Sequence, residues 1–151
     1  MKALIIGGGG FVGPYLAKHL TEDLGYTVTV TKTEKETLNL DGVGIANLNI
    51  LDKEQIKELL VNEEPDYVFH LAAQSSVAYS WKNPSLTIDV NVKGCANLLD
   101  VLRELEKKPR VLLIGSGEEY GHIKSSECPI VEDNTVRPGN IYAATKACQN
   151  M

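Results

Sequence analysis

Cysteine is scarce: three residues in 151, Cys95, Cys128 and Cys148, odd in number and without a C-x-x-C pair. That argues against a disulfide-stapled fold and a thiolate zinc site, and it fits reduced thiols in a cytoplasm. Long apolar runs are missing too, so nothing approaches a membrane helix. Positive charge is in deficit, 15 lysines and arginines against 20 acidic residues. A net charge of −5 argues against the basic face that nucleic-acid binding usually needs. No secretory leader is expected, because Lys2 leads into a few apolar residues and then glycine. No metal-ligand spacing, internal repeat or low-complexity tract stands out. What remains is a chain with 43% apolar residues, enough for one core, so one domain over 1–151 is expected.

What the chain does have is glycine in one place. "LIIGGGGFVG" (4–13) sets four glycines in a row between two apolar segments. "KALIIG" (2–7) reads as a buried strand, and Val12, Leu16 and Leu20 recur at intervals of four, so a helix follows directly. Pro14 falls in its first turn, where a missing N–H does no harm. Further strands are predicted at "YTVTV" (26–30), "IANLNI" (45–50), "YVFHLAA" (67–73) and "RVLLIGS" (110–116). Between them, Asp52 caps a helix, with Gln55 three residues on as in a capping box, and Ile56, Leu59 and Leu60 form its apolar face. Pro65 ends it. Asn83-Pro84 opens a long helix over 84–106, with Ile88, Val92, Cys95, Leu99 and Leu102 as its stripe. Strands alternating with helices, without hairpin turns, predict an α/β fold with a doubly wound parallel (Rossmann) sheet covered on both faces. Ligands of such sheets bind beyond the carboxyl ends of the strands, where strand order reverses.

A glycine turn between a strand and a helix leaves bare N–H groups at the positive end of the helix dipole, a site for a pyrophosphate. Two registers fit: Gly8, Gly10 and Gly13 give G-x-G-x-x-G, and Gly7, Gly10 and Gly13 give G-x-x-G-x-x-G. In the usual dinucleotide fold an acidic residue roughly 20 positions on takes the ribose hydroxyls. Lys32 stands where that carboxylate often does, with Glu34 two residues beyond. A cation there favours the 2′-phosphate of NADP over NAD.

Ser116 follows the last predicted strand, at the mouth of the expected crevice. "YAATK" sets Tyr142 and Lys146 four apart, on one face of a helix. An ammonium beside a phenol favours the phenolate, which can exchange a proton with a sugar hydroxyl, while a serine hydroxyl bonds the same oxygen. Hydride transfer to a nicotinamide needs that proton movement. Tyr120 and Lys124 in "YGHIK" repeat the spacing, but Gly121 between them marks a loop, so Tyr120 is expected only to pack.

Together, "GGGGFVG", "FHLAAQSSV", "NVKGCANLLD", "GSGEEYG" and "YAATK" resemble, in order and over nearly the whole chain, the extended short-chain dehydrogenase/reductases, also called NAD-dependent epimerase/dehydratases. "LAAQSSVAYSWKNP" and "VRP…IYAATK" look most like the branch of GDP-mannose 4,6-dehydratases and GDP-4-keto-6-deoxymannose reductases. The resemblance implies the register Gly7, Gly10 and Gly13, with Phe11 and Val12 inside it. It implies Ser116, Tyr142 and Lys146 as the catalytic set, Lys146 also holding the nicotinamide ribose, and Glu118 as the base of a dehydration. It places Leu71, Ala72 and Ala73 along the cofactor, Asn49 and Ile50 at the adenine, and Asn91 at the family's active-site asparagine. Asn49 departs from the family's Asp, but its amide oxygen can still accept from an adenine amino group. Ser75, Ser76 and Arg137 stand where sugar or nucleotide contacts could be made.

The implied activity is NADP(H)- or NAD(H)-dependent chemistry on a nucleotide-activated sugar, a GDP-hexose first. UDP- or dTDP-sugar epimerases and dehydratases remain the alternative, and a non-catalytic dinucleotide-binding module is a third reading. Members are commonly much longer, with a second domain that grips the sugar nucleotide. A truncated, homodimeric, weakly active chain without a membrane or nucleic-acid partner is therefore expected.

Overall fold

In a computed structural model that describes all 151 residues, the apolar run after Lys2 forms β1 (Lys2–Ile6). The order continues with α1 (Val12–Lys18) and a π-turn (His19–Asp23), then β2 (Thr27–Lys32), β3 (Gly44–Asn47), α2 (Lys53–Glu63) and β4 (Tyr67–His70). Next come α3 (Val77–Lys82), α4 (Pro84–Ile88), a second π-turn (Asp89–Lys93), α5 (Gly94–Glu104) and β5 (Arg110–Leu113). Two 3₁₀ turns (Gly117–Tyr120 and Ser125–Glu127) precede α6 (Ile141–Gln149). The chain divides into two compact units, residues 1–72 with 94–114 and residues 73–93 with 115–151.

The first unit holds a five-stranded sheet in the order β3-β2-β1-β4-β5, every neighbouring pair parallel. This is the α/β doubly wound architecture expected from the alternation of strands and helices. Leu4, Ile5 and Ile6 are all fully buried, so both faces of β1 are covered, as a central strand of such a sheet requires. On one face Ala3, Ile5, Val28 and Val30 pack with Ala17 and Leu20. Elsewhere α2 and α5 pack on each other and bury Ile56, Leu60, Leu98 and Val101.

Local signals explain the boundaries. The Asp52 carboxylate caps α2 by accepting from the Glu54 and Gln55 N–H groups, at 3.1 Å each. Gln55 does not close the expected capping box; its amide oxygen accepts from the Asn49 N–H instead, at 3.0 Å. Glu64 ends α2 in the left-handed region (φ 44°), just before Pro65, which cannot continue the helix.

Two helical faces differ from expectation. On α1 the buried residues are Gly13 and Ala17, with Leu20 on the π-turn, while Val12 is exposed. The single helix expected over 84–106 is α4, a π-turn and α5. A π-turn holds one residue more than an α-turn, so the apolar period slips by one place across it. Cys95 and Leu102 are buried as expected, but Ile88 and Leu99 are 48% and 41% exposed, and Leu98 and Val101 take the inward places. At the sheet edge, Val111 and Leu112 of β5 are exposed, unlike the buried strand expected there.

In the second unit α6 packs against α3, α4, the second π-turn and the first 3₁₀ turn. Ser76 caps α3 by accepting from the Tyr79 N–H, at 3.2 Å. The short helix α3 carried no expectation, because six residues hold too few apolar places to show a period.

Candidate active site

At the switch point of the sheet, where the chain leaves β1 between β2 and β4, the glycine turn is tied to β2. The Gly7 N–H donates to the Thr31 hydroxyl and the Gly8 N–H to the Thr31 carbonyl, both at 2.9 Å. Gly7 sits at φ 80°, and a Cβ on it would lie 2.4 Å from the Ala72 Cα beyond β4. A Cβ on Gly8 would meet the Val30 side chain at 2.2 Å, and one on Gly13 would meet the Gly8 carbonyl oxygen at 2.0 Å. Three of these glycines are therefore required by the protein's own packing. Gly10 is not: its φ is ordinary, and the nearest atom to a Cβ there is the Gly7 oxygen at 3.8 Å. Packing therefore does not fix Gly10, and the turn is open above its backbone.

Around this turn the remaining expected cofactor residues fall as follows. Phe11 is 85% exposed and its ring lies 5.6 Å from that of Tyr15. Lys32 points its ammonium at the Asn47 amide oxygen (2.8 Å) and the Thr33 carbonyl (3.3 Å). The Asn49 amide oxygen accepts from the Leu51 N–H at 3.1 Å, which leaves one lone pair for a further donor. Ile50 is buried, with its Cγ2 2.8 Å from where a Cβ on Gly94 would stand. Leu71 continues the pairing of β4 by donating to the Ile6 carbonyl at 2.8 Å.

In the second unit, Tyr142 and Lys146 share one face of α6, and both are buried, Lys146 to 4% exposure. The Lys146 ammonium donates to the Gln149 amide oxygen at 3.1 Å. Asn140 caps α6 with its oxygen, accepting from the Ala143 N–H at 2.8 Å, and with its nitrogen donates to the Glu118 carboxylate at 3.0 Å. At the other end of the helix Asn150 donates to the buried Glu119 carboxylate, which also accepts from the Ser116 N–H at 2.8 Å. The helix of Tyr142 and the turn headed by Ser116 are thus fastened together twice. The Ser116 hydroxyl accepts from the Glu118 N–H at 3.3 Å and keeps its own O–H to donate.

Asn91 lies on the second π-turn, only 1% exposed, and both ends of its amide are bonded within the protein. Its oxygen accepts from the Gln74 N–H (2.8 Å), and its nitrogen donates to the Gln74 carbonyl (3.0 Å) and the Thr145 hydroxyl (2.9 Å). Thr145 in turn donates to the Tyr142 carbonyl at 2.7 Å. Asn91 therefore acts as a strut under the helix that carries Tyr142 and Lys146. Thr145, Gln74 and Asn140 were not anticipated as site residues; of the three, only Asn140 carried a signal, a capping residue before an apolar helical start.

Other candidates have partners within the fold. Arg137 pairs with the Glu127 carboxylate, and its carbonyl presses on Gly121, where a Cβ would come within 1.9 Å. Tyr120 ends a 3₁₀ turn and Lys124 lies beyond Gly121, so the second Tyr-Lys spacing is loop, as expected. Bonds from the Lys124 N–H and the Arg137 guanidinium hold the Glu127 carboxyl below its ordinary range. A depressed carboxyl stabilises the fold above its unfolded value, and that contribution disappears as pH falls through the folded value. Protection of the amides over 124–137, taken against the intrinsic exchange rate at each pH, is expected to fall on acidification below the ordinary glutamate range. The same pH-dependent loss of protection in Glu127→Gln would show that another group is responsible.

A parallel sheet in this order, with a glycine turn at its reversal, defines the doubly wound dinucleotide-binding class. Residues 4–151 match the family described as GDP-mannose 4,6 dehydratase. The chain belongs to this family, within the extended short-chain dehydrogenase/reductases or NAD-dependent epimerases and dehydratases. It is 30% identical to UDP-glucuronate 4-epimerase 4 of Arabidopsis thaliana and to protein CapI of Staphylococcus aureus, matching 97% of this chain in both. Among solved structures it is similar to the UDP-glucose 4-epimerase of Thermus thermophilus in complex with NAD, at 31% identity over 99% of this chain and a TM-score of 0.88. The chain spans 36% and 46% of those two curated relatives and 49% of the solved one. No helix is long and apolar enough to cross a membrane.

Proposed function

We propose that residues 1–151 form the dinucleotide-binding part of an enzyme acting on a nucleotide-activated sugar, with Tyr142 as its acid/base. The observation that carries this reading is Gly10, left bare among glycines that packing requires. Solved relatives in complex with NAD, and one from Thermotoga maritima with UDP-glucose at 30% identity, support it.

A dinucleotide whose pyrophosphate the glycine turn would hold would supply, through its nicotinamide, a hydride acceptor and donor. The protein's part is the proton. With its phenol deprotonated, Tyr142, which shares a helix face with Lys146, takes the proton of a sugar hydroxyl as the C–H on the same carbon leaves as hydride and the carbon–oxygen bond becomes a carbonyl. The Ser116 O–H donates to that oxygen throughout. In the reverse direction the Tyr142 phenol returns the proton. Glu118, aimed by Asn140, is the base for removing a proton beside the new carbonyl, so that water can leave. That step belongs to the dehydratase reading, with a GDP-hexose as substrate. A 4-epimerase of UDP-sugars omits it, and the UDP-sugar epimerases among the relatives favour that second reading. The choice between NAD and NADP rests with the end of β2 and the loop after it, where Lys32 and acidic neighbours oppose one another in charge. The three free thiols suit a cytoplasmic enzyme. Exposed Ile88 and Leu99 suit pairing with a second copy.

The test is to titrate the purified chain with NADH and NADPH, then incubate it with cofactor and GDP-mannose, UDP-glucose or UDP-glucuronate. At least one reduced cofactor is expected to bind. Conversion of one sugar class selects the reading, and binding without any turnover leaves a binding module. Failure to bind either cofactor overturns the proposal. Light scattering on the same sample reads the expected dimer.

A further inference from the structure

We infer that Glu36, and not a residue at the end of β2, sets this chain's choice of dinucleotide, and that it selects the cofactor lacking a 2′-phosphate. The inference rests on the dinucleotide-binding reading. In doubly wound folds the residue closing β2 usually supplies the carboxylate that accepts from the adenosine ribose. Here that place holds Lys32, a cation, which on charge alone would welcome a phosphate. The structure turns this cation aside. Its ammonium is directed to the Asn47 amide oxygen at 2.8 Å and the Thr33 carbonyl at 3.3 Å, along the sheet edge toward β3.

The group that reaches back over the glycine turn is the carboxylate of Glu36. A Cβ on Gly9 would stand 3.2 Å from its Oε1 and 3.3 Å from its carboxyl carbon. Glu36 is an exposed side chain, yet it does not hang free. Its Oε2 accepts from the Thr33 N–H at 2.6 Å and from the Thr33 hydroxyl at 2.9 Å. Those two bonds close the loop 33–36 on itself, helped by the Glu36 N–H donating to the Thr33 carbonyl at 3.1 Å. They also fix which oxygen faces the turn. An ionised carboxylate only accepts hydrogen bonds, so it suits the two hydroxyls of an adenosine ribose beside the turn. A phosphate on the same ribose would bring like charges together at short range, with the Lys32 ammonium already engaged elsewhere and the exposed Lys35 screened by water.

The experiment uses the whole chain, titrated with NADH and with NADPH by nicotinamide fluorescence, for wild type, Glu36→Gln, Thr33→Val and Lys32→Gln. Wild type is expected to bind NADH about tenfold or more tighter than NADPH, the factor that one hydrogen bond to a charged group is worth. In Glu36→Gln the preference collapses, chiefly because NADPH binding improves. Thr33→Val frees the carboxylate and moves the ratio in the same direction by less. Lys32→Gln leaves the preference standing. A wild-type preference for NADPH, or a ratio unchanged in Glu36→Gln, overturns the role of Glu36 while leaving cofactor binding intact. Binding of neither cofactor instead removes the dinucleotide reading, and this inference with it. Because Glu36 is exposed, its variant should unfold at the same temperature as wild type, so a change in ratio reports recognition.

Discussion

Gly13→Ala is expected to unfold the chain's first unit, and Gly10→Ala to leave it folded but unable to hold a dinucleotide. A methyl on Gly13 would sit 2.0 Å from the Gly8 carbonyl oxygen and 2.4 Å from its Cα. Both are backbone atoms that cannot rotate away. The turn or α1 must move, and Gly13 is one of the two buried residues of that helix. A shift of that kind belongs with the severe core substitutions, at about 3–5 kcal/mol. At Gly10 the same methyl meets nothing nearer than 3.8 Å and needs no unusual φ, so stability should change by less than about 0.5 kcal/mol. It would, however, stand where a pyrophosphate must approach the backbone, and NADH affinity should fall by about tenfold or more. Urea denaturation reads the first effect and fluorescence titration the second. Equal destabilisation by both variants, with NADH affinity intact in Gly10→Ala, would mean that all the glycines serve the fold alone.

The pair also shows what was legible in the residues and what was not. The strand–turn–helix setting of Gly7 to Gly13 could be read directly, because a buried strand of Ala3 to Ile6 and a helix with Pro14 in its first turn leave little else to build. That Gly8 is locked by Val30 while Gly10 is free could not, since this depends on how close β2 comes to the turn. A parallel, doubly wound sheet followed from the alternation of strands and helices, but the faces of the helices did not. Leu99 and Ile88 looked inward at a period of 3.6, but α5 buries Leu98 and Val101 beside Cys95 and Leu102, and α4 buries Thr87. A π-turn leaves no mark in composition; it is adopted because tertiary contacts reward it, here by carrying the Asn91 amide inward. That Tyr142 and Lys146 share a helix face was legible because both lie within about one turn of a single helix. Glu36 was not, because its distance from Gly9 is a property of a loop, and its neighbours Glu34 and Lys35 look equally eligible in one dimension.

Asn91 carries the second large effect. Its amide bridges both backbone groups of Gln74 and the Thr145 hydroxyl, all inside the second unit. Replacing it by leucine keeps the volume but leaves a buried N–H, a carbonyl and a hydroxyl short of a partner, at about 1–3 kcal/mol for each group that water cannot reach. Allowing for partial relaxation, about 2–4 kcal/mol of stability should be lost. α6 should feel most of it, because a helix of nine residues is marginal by itself and depends on its packing and its ties. Amide exchange in Ala143 to Cys148 is expected to rise well before the sheet opens. Thr145→Val removes the same link from the other side, so the double variant should lose less than the two single losses added together. NADH affinity separates this role from direct contact with a ligand. A strut lowers affinity only as far as the second unit loosens, and stabilising salts such as sulfate should restore it. A contact residue would lose affinity at unchanged stability, and that pattern in Asn91→Leu would rule the strut out.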